Sequence, residues 1–319
     1  MNVFFTVDVE VWCDGWNDLD SRFPEAFQRY IYGPTSKGRY GLPHIVDVLN
    51  QHGLNGVFFV EPLFASRFGI QPLQEIVGLL NDAGQEIQLH MHTEWVDESR
   101  QPLLQDTSKK RQHMRYFTRD EQTTLVGHGL RLLDEAGAAE TNAFRAGSFA
   151  FNADTLVALA NNNVSFDSSY NASMFGPDSG VLPGTTLLNP TECDGVFEYP
   201  MTVFDDGTGS LRHAQVGACS YGEMVGLLRQ ALDAGLDSFV ILFHNFELLN
   251  QAKQRKDDVV VRRFHKLCAF LDRHRDVFDT RGFKGLTPVT SAVQGKPLSS
   301  PIWKTGIRMA EQIYRRRFS

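Results

Sequence analysis

Parallel β/α architecture is what this sequence predicts, on three observations. Short apolar runs alternate with amphipathic stretches, several of those stretches stop at a glycine, and polar residues gather where the apolar runs end. Val3–Val9 is apolar, β-rich and finishes in acids; a helix is expected over 41–53, with Leu42, Ile45, Val46, Val48 and Leu49 on one face and a glycine to stop it. Gly56–Val60 is a fully apolar strand. A helix over 73–83 stopped by Gly84 precedes a strand over 86–90, and a long helix over 120–136 precedes a strand over 142–145. The alternation continues through helix 154–160, strands 164–167 and 196–200, helix 221–234, the very apolar strand 238–243 and helix 259–274. Six to eight such units in one chain point to a closed or nearly closed barrel. The rival is a doubly wound open sheet, but no glycine-rich nucleotide turn follows the first strand.

Two segments leave the pattern. Residues 176–188 are rich in Gly, Pro, Ser and Thr, as a surface loop near a site would be. The barrel domain is expected over 1–295, leaving 296–319 as a basic amphipathic tail with Ile302, Trp303, Ile307, Met309, Ile313 and Tyr314 followed by Arg315-Arg316-Arg317. Such a tail either packs on the barrel as a last helix or contacts an anionic membrane surface or a protein partner.

The 319 residues, 42% of them hydrophobic and 22% charged, describe a globular chain, and the 24 Phe promise a large apolar core. A net charge of −7 argues against a nucleic-acid partner, whose phosphates demand a basic surface. Cys13, Cys193, Cys219 and Cys268 lie far apart without metal-binding spacing, so free thiols in a reducing compartment are expected. No signal peptide is visible, and no apolar run reaches the roughly 18 residues of a membrane span. A cytoplasmic enzyme is the expectation.

In parallel β/α folds, catalytic groups cluster where strands finish. Asp8 and Glu10, two apart on the first strand, face the same side. Two converging carboxylates repel unless a cation sits between them, which suits a metal ligand beside a general base. His90 and His92 repeat the i, i+2 spacing with imidazoles, which suit zinc and its neighbours; Glu94 is a third ligand or orients an imidazole. Arg145 leaves a buried strand and needs a carboxylate partner, for which Asp8 is the natural candidate. His244, ending the most apolar strand, is matched to proton donation near neutral pH. Each has a structural alternative: a solvated strand end for the acids, a rim salt bridge for Arg145, a core histidine for His244. Asp167 is a further strand-end acid that could instead make a turn or cap with Ser168 and Ser169.

Together these segments resemble the polysaccharide deacetylase family, the NodB-homology carbohydrate esterases, from about Val3 to about Leu286. Thr6-Val7-Asp8-Val9-Glu10 resembles the first motif and Gly56–Val60 the family's apolar strand. Gly84 to His92 resembles the second motif, Phe144-Arg145-Ala146-Gly147 the third, and Leu242-Phe243-His244 the late Leu-x-His. The resemblance implies a distorted (β/α)7 barrel that hydrolyses an N- or O-acetyl group from a sugar. It makes Asp8 the general base, Arg145 the residue that orients it, and His244 the acid toward the leaving group. It places a divalent metal ion, with zinc expected, among Glu10, His90 and His92, as a Lewis acid for the acetyl carbonyl.

Two departures narrow the substrate. Val9 separates the acids of the first motif, and the second reads His90-x-His92, with Glu94 where the family commonly has its second histidine. Both variants resemble a subgroup linked to bacterial surface-polysaccharide and lipopolysaccharide synthesis, so acetylated cell-envelope glycan precursors are the expected substrates. The competing readings are a metal-independent amidohydrolase of the same fold acting on a cyclic amide or ureide, and a non-catalytic sugar-binding scaffold.

Overall fold

A computed structural model describes residues 1–105, 110–291 and 293–318; Ser319 of the expected tail lies outside them. Seven strands follow one another in the predicted order: β1 (Asn2–Val9), β2 (Gly56–Val60), β3 (Glu86–Met91), β4 (Ala143–Ala146), β5 (Phe166–Asp167), β6 (Val196–Glu198) and β7 (Ser238–His244). The principal helices are α1 (Leu42–Gln51), α2 (Gln71–Asp82), α3 (Arg119–Glu135), α4 (Ala153–Asn161), α5 (Tyr221–Asp233), α6 (Asp258–Arg273) and α7 (Ile302–Phe318). The chain divides into two compact units, one of residues 1–56, 202–281 and 297–319, the other of 57–201 and 282–296.

In the first unit β1 and β7 pair in parallel from Asn2↔Ser238 to Asp8↔His244, so the acid and the histidine finish their strands side by side. Both strands are buried along almost their whole length, which is why they read as continuous apolar runs rather than alternating ones. Phe5, Phe243 and Phe264 of α6 form the aromatic core behind them, with Phe243 stacked on Phe264 at 5.0 Å between ring centroids. A small sheet lies off this pattern: Val203–Asp205 pairs antiparallel with Leu211–His213 and parallel with Leu298–Ser299, just before α7.

Buried charge anchors helix α7 in this unit. The Arg308 guanidinium is buried between Asp206 (2.8 Å) and Glu223 (2.7 Å). Glu223 also accepts from the Ser220 N–H at 2.8 Å, closing the capping box of α5, so one carboxylate serves both elements. Burial pushes the Asp206 carboxyl up, but hydrogen bonds from Thr208 and the Arg308 charge outweigh it and hold the group below its ordinary range. Removing one partner of such a buried set strands the others. Arg308→Met is therefore expected to destabilise the chain by about 3–5 kcal/mol in urea unfolding; a change within about 0.5 kcal/mol, the range of an ordinary surface substitution, would show the ion pairs to be incidental.

In the second unit β2, β3, β4, β5 and β6 run parallel in that order, and Thr191–Cys193 adds an antiparallel edge to β6. Phe59, Phe166, Tyr199 and Phe283 form its aromatic core. Capping boxes open α3 (Thr118 with Glu121) and α4 (Asn152 with Thr155). The loop expected over 176–188 carries only the short turn Gly176–Asp178. All four cysteines are free and buried. Among the described residues, no helix is long and apolar enough to cross a membrane.

Candidate active site

The end of β1 and the end of β7 build an acid–imidazole cluster in the first unit. Ligand-type atoms of Asp8, Glu10 and His244 all lie within 4.8 Å of one another. Asp8 and Glu10 are buried, whereas His244 is partly open. Asn245 sets the geometry: its Oδ1 accepts from the Glu10 N–H at 3.0 Å, and its Nδ2 donates to the Glu10 carbonyl (3.1 Å) and the Tyr30 carbonyl (2.8 Å). The Trp12 indole donates to Glu10 Oε2 at 2.7 Å, while Glu10 Oε1 lies 3.9 Å from His244 Nε2.

Glu247, three residues beyond His244, escaped the sequence reading. Its Oε1 lies 2.6 Å from His244 Nδ1 and accepts from Gln215 Nε2 at 2.5 Å, while Oε2 accepts from the Gly217 N–H at 2.7 Å. A Cβ on residue 217 would sit 2.2 Å from Glu247 Oε2, so only glycine admits the carboxylate there. Burial pushes the His244 imidazole down, but the Glu247 hydrogen bond and the charges of Glu10, Glu247 and Asp8 outweigh it and raise it to about 9. Protonated at neutral pH, His244 suits an acid rather than a base. A cation on Glu10 would weaken that group's share and leave Glu247 as the main support.

The second unit holds the imidazole pair at the end of β3. The His90 and His92 rings are 4.8 Å apart and nearly perpendicular, at 83°. His90 Nδ1 lies 2.8 Å from the Arg145 carbonyl, which only accepts, so Nδ1 is the donor in that contact. His92 Nδ1 lies 3.3 Å from Glu94 Oε2, an arrangement of the same kind. Gly147 makes room for this ring, since a Cβ there would come within 2.7 Å of His92 Nδ1. The buried Arg145 guanidinium donates to the Ser168 carbonyl and hydroxyl, both at 3.1 Å, and stacks 4.3 Å from the Phe59 ring centroid.

Two further buried acids in this unit went unread. Glu61, directly after β2, accepts from the Leu63 and Phe64 N–H groups, and burial pushes it up to about 8. Glu198 faces Asp167 across the β5–β6 pairing, and both are fully buried. Asp167 Oδ1 accepts from the Ser169 hydroxyl at 2.6 Å and Glu198 Oε1 from the Tyr170 N–H at 3.0 Å. Among the described residues, Asp167 Oδ2 and Glu198 Oε2 have no other donor, as expected when two carboxyls share one proton. Burial pushes both carboxyls up, and the Asp167 charge pushes Glu198 well above its ordinary range, so the pair keeps a proton. The turn reading of Asp167 with Ser169 is therefore only half of its role.

This pair fixes a pH dependence. Because the folded value of Glu198 lies above the unfolded one, its contribution is complete below the unfolded pKa and is lost as pH climbs through the raised value. Glu198→Gln, whose amide replaces the shared proton, should flatten the alkaline fall in urea midpoint. Glu198→Ala should cost about 1–3 kcal/mol at neutral pH by stranding Asp167. An unchanged alkaline slope in the Gln variant would rule the shared proton out.

No protein-family model matches the sequence. No curated protein matches it either. Solved structures do match. A protein described as a polysaccharide deacetylase from Mycobacterium smegmatis aligns at TM-score 0.50 and 19% identity, over 92% of this chain and 94% of its own. A family 4 carbohydrate esterase from Streptomyces lividans, solved with acetate, aligns at 0.46 and 13%, over 91% and 97%. A CE4-family pseudoenzyme from Bacillus anthracis aligns at 0.44 and 11%, over 85% and 60%. At such identities the likeness is one of fold, and the first of the three carries it. The chain has the polysaccharide-deacetylase fold, as its motifs lead one to expect.

Proposed function

We propose that the chain is a divalent-metal-dependent carbohydrate deacetylase, removing an N- or O-acetyl group from a cell-envelope glycan precursor. The observation that carries this reading is the Asp8–Glu10–His244 cluster, in which two buried acids face a partly open imidazole. The imidazole pair supports it, since a backbone carbonyl and a carboxylate lie beside Nδ1 of the two rings, as partners that orient metal-binding imidazoles do. Glu10, His90 and His92 are the proposed ligands, a mixed oxygen and nitrogen set that fits zinc. When bound, the ion supplies Lewis acidity toward the acetyl carbonyl and its attacking water.

The remaining steps belong to the chain. Asp8 takes the proton of the attacking water, and Arg145 is the residue proposed to orient it. His244 delivers a proton from Nε2 to the leaving amine or alkoxide, and Glu247 holds Nδ1 so that Nε2 faces the acids. The glycan precursor is supported by the variant first and second motifs. The test is acetate release from N- and O-acetylated sugars, with and without chelator and with zinc restored. Release that chelation stops and zinc restores is the expected result. Release indifferent to chelation would favour the metal-independent amidohydrolase, and no release from any acetylated sugar the scaffold.

A further inference from the structure

Helix α7 is amphipathic, and it presents the wrong face to solvent for a helix that merely caps a domain. Its inward face is polar. Besides Arg308, Thr305 donates to the Asp206 carbonyl at 2.6 Å and Lys304 to the Gly222 carbonyl at 2.9 Å. Arg263 pairs with Glu311, and Arg315 donates to Asp257 at 2.6 Å and to the Gly217 carbonyl at 2.7 Å. Its outward face is apolar: Trp303 is 61% exposed and Ile313 66%, and Ile302, Ile307, Met309 and Tyr314 are exposed beside them. At 100° per residue these six fall within one contiguous stripe, with Gly306 and Ala310 keeping its centre low. An amphipathic helix normally buries that stripe, because each large apolar side chain removed from water gains about 1.5–3 kcal/mol. Here buried ion pairs hold the helix the other way round.

We infer that α7 docks the protein on an anionic lipid bilayer surface, its apolar stripe entering the headgroup boundary. Three observations favour this occupant. Trp303 and Tyr314 are the residue types that settle at a membrane interface, at opposite ends of the stripe. Residues 296–319 hold six cations against the single acid Glu311 in a chain of net charge −7; Arg308 and Arg315 are engaged by the inward acids, and Lys296, Lys304 and the Arg316-Arg317 pair keep the segment basic. That charge segregation suits an anionic headgroup layer and opposes the pairing of two like helices from two copies. The helix is also not long and apolar enough to cross a membrane, which fits contact with the surface alone.

The test is co-sedimentation of the full chain with vesicles of phosphatidylcholine alone or with 30% phosphatidylglycerol, beside Ile307→Glu/Ile313→Glu, which changes only exposed side chains. The wild type should bind the anionic vesicles, lose binding as salt is raised, and bind about tenfold or more weakly as the double variant, with unchanged circular dichroism. Failure of the wild type to bind anionic vesicles would overturn the inference, as would equal binding by the variant. A wild-type dimer that the double variant dissociates, without vesicle binding, would overturn it in favour of a second copy. Trp303→Ala, which removes an interfacial anchor without adding charge, should weaken binding by a smaller factor; no loss at all would count against the stripe as the contact.

Discussion

Asp8→Asn is expected to lower kcat/KM for acetate release by about 10²–10⁴-fold, the usual contribution of a positioned base, while bound metal stays at the wild-type level. The argument rests on isosterism. Asp8 is almost fully buried and finishes β1 opposite His244, so an amide of the same shape leaves no cavity there. It still accepts a hydrogen bond, but it cannot take up a proton. Asp8 also lies within ligand distance of Glu10 and His244, so the metal content of this variant is what separates a base from a ligand. Turnover at the wild-type rate would remove Asp8 as base, and loss of metal in this variant would make it a ligand instead.

His90→Ala should act through the other channel. Its Nδ1 donates to the Arg145 carbonyl, which orients the ring. Loss of a partner that merely orients a ligand costs 10–100-fold in metal affinity, so loss of a ligand should cost about 100-fold or more, with turnover falling in parallel. Glu94→Gln, which weakens the support of His92 without removing an imidazole, should fall in that milder range. Isothermal titration with zinc separates the two. If His90→Ala bound zinc as the wild type does, the imidazole pair would be structural.

How much of this could be read from the sequence depended on how local each signal is. β1, β2 and β7 are buried on both faces, so their continuous apolar runs were legible almost to the residue. The strand expected over 164–167 shrinks to Phe166–Asp167, because the Val164 N–H turns back to the Leu159 carbonyl and closes the end of α4. Strand-end chemistry was legible too, since Asp8, Glu10, His90, His92 and His244 end strands or directly follow them. Their supporting groups were not. Glu247, Glu198 and Glu61 look like ordinary surface acids: Glu198 gains its meaning from Asp167 and Glu247 part of its own from Gln215, both distant in sequence, while Glu61 is marked only by its burial. The face of α7 that packs was hidden for the same reason. Its ion partners Asp206, Glu223, Asp257 and Arg263 are scattered through the chain, and amphipathicity alone favours burying the apolar side.

The central claim, a cation held by a carboxylate and an imidazole pair, is tested most directly by elemental analysis of the purified wild-type chain. About one divalent ion per chain is predicted, with zinc in excess of other metals, removable by chelator together with acetate release and restored with it. A chain that carries no divalent ion after purification, takes up none from solution, and releases acetate all the same would contradict the account.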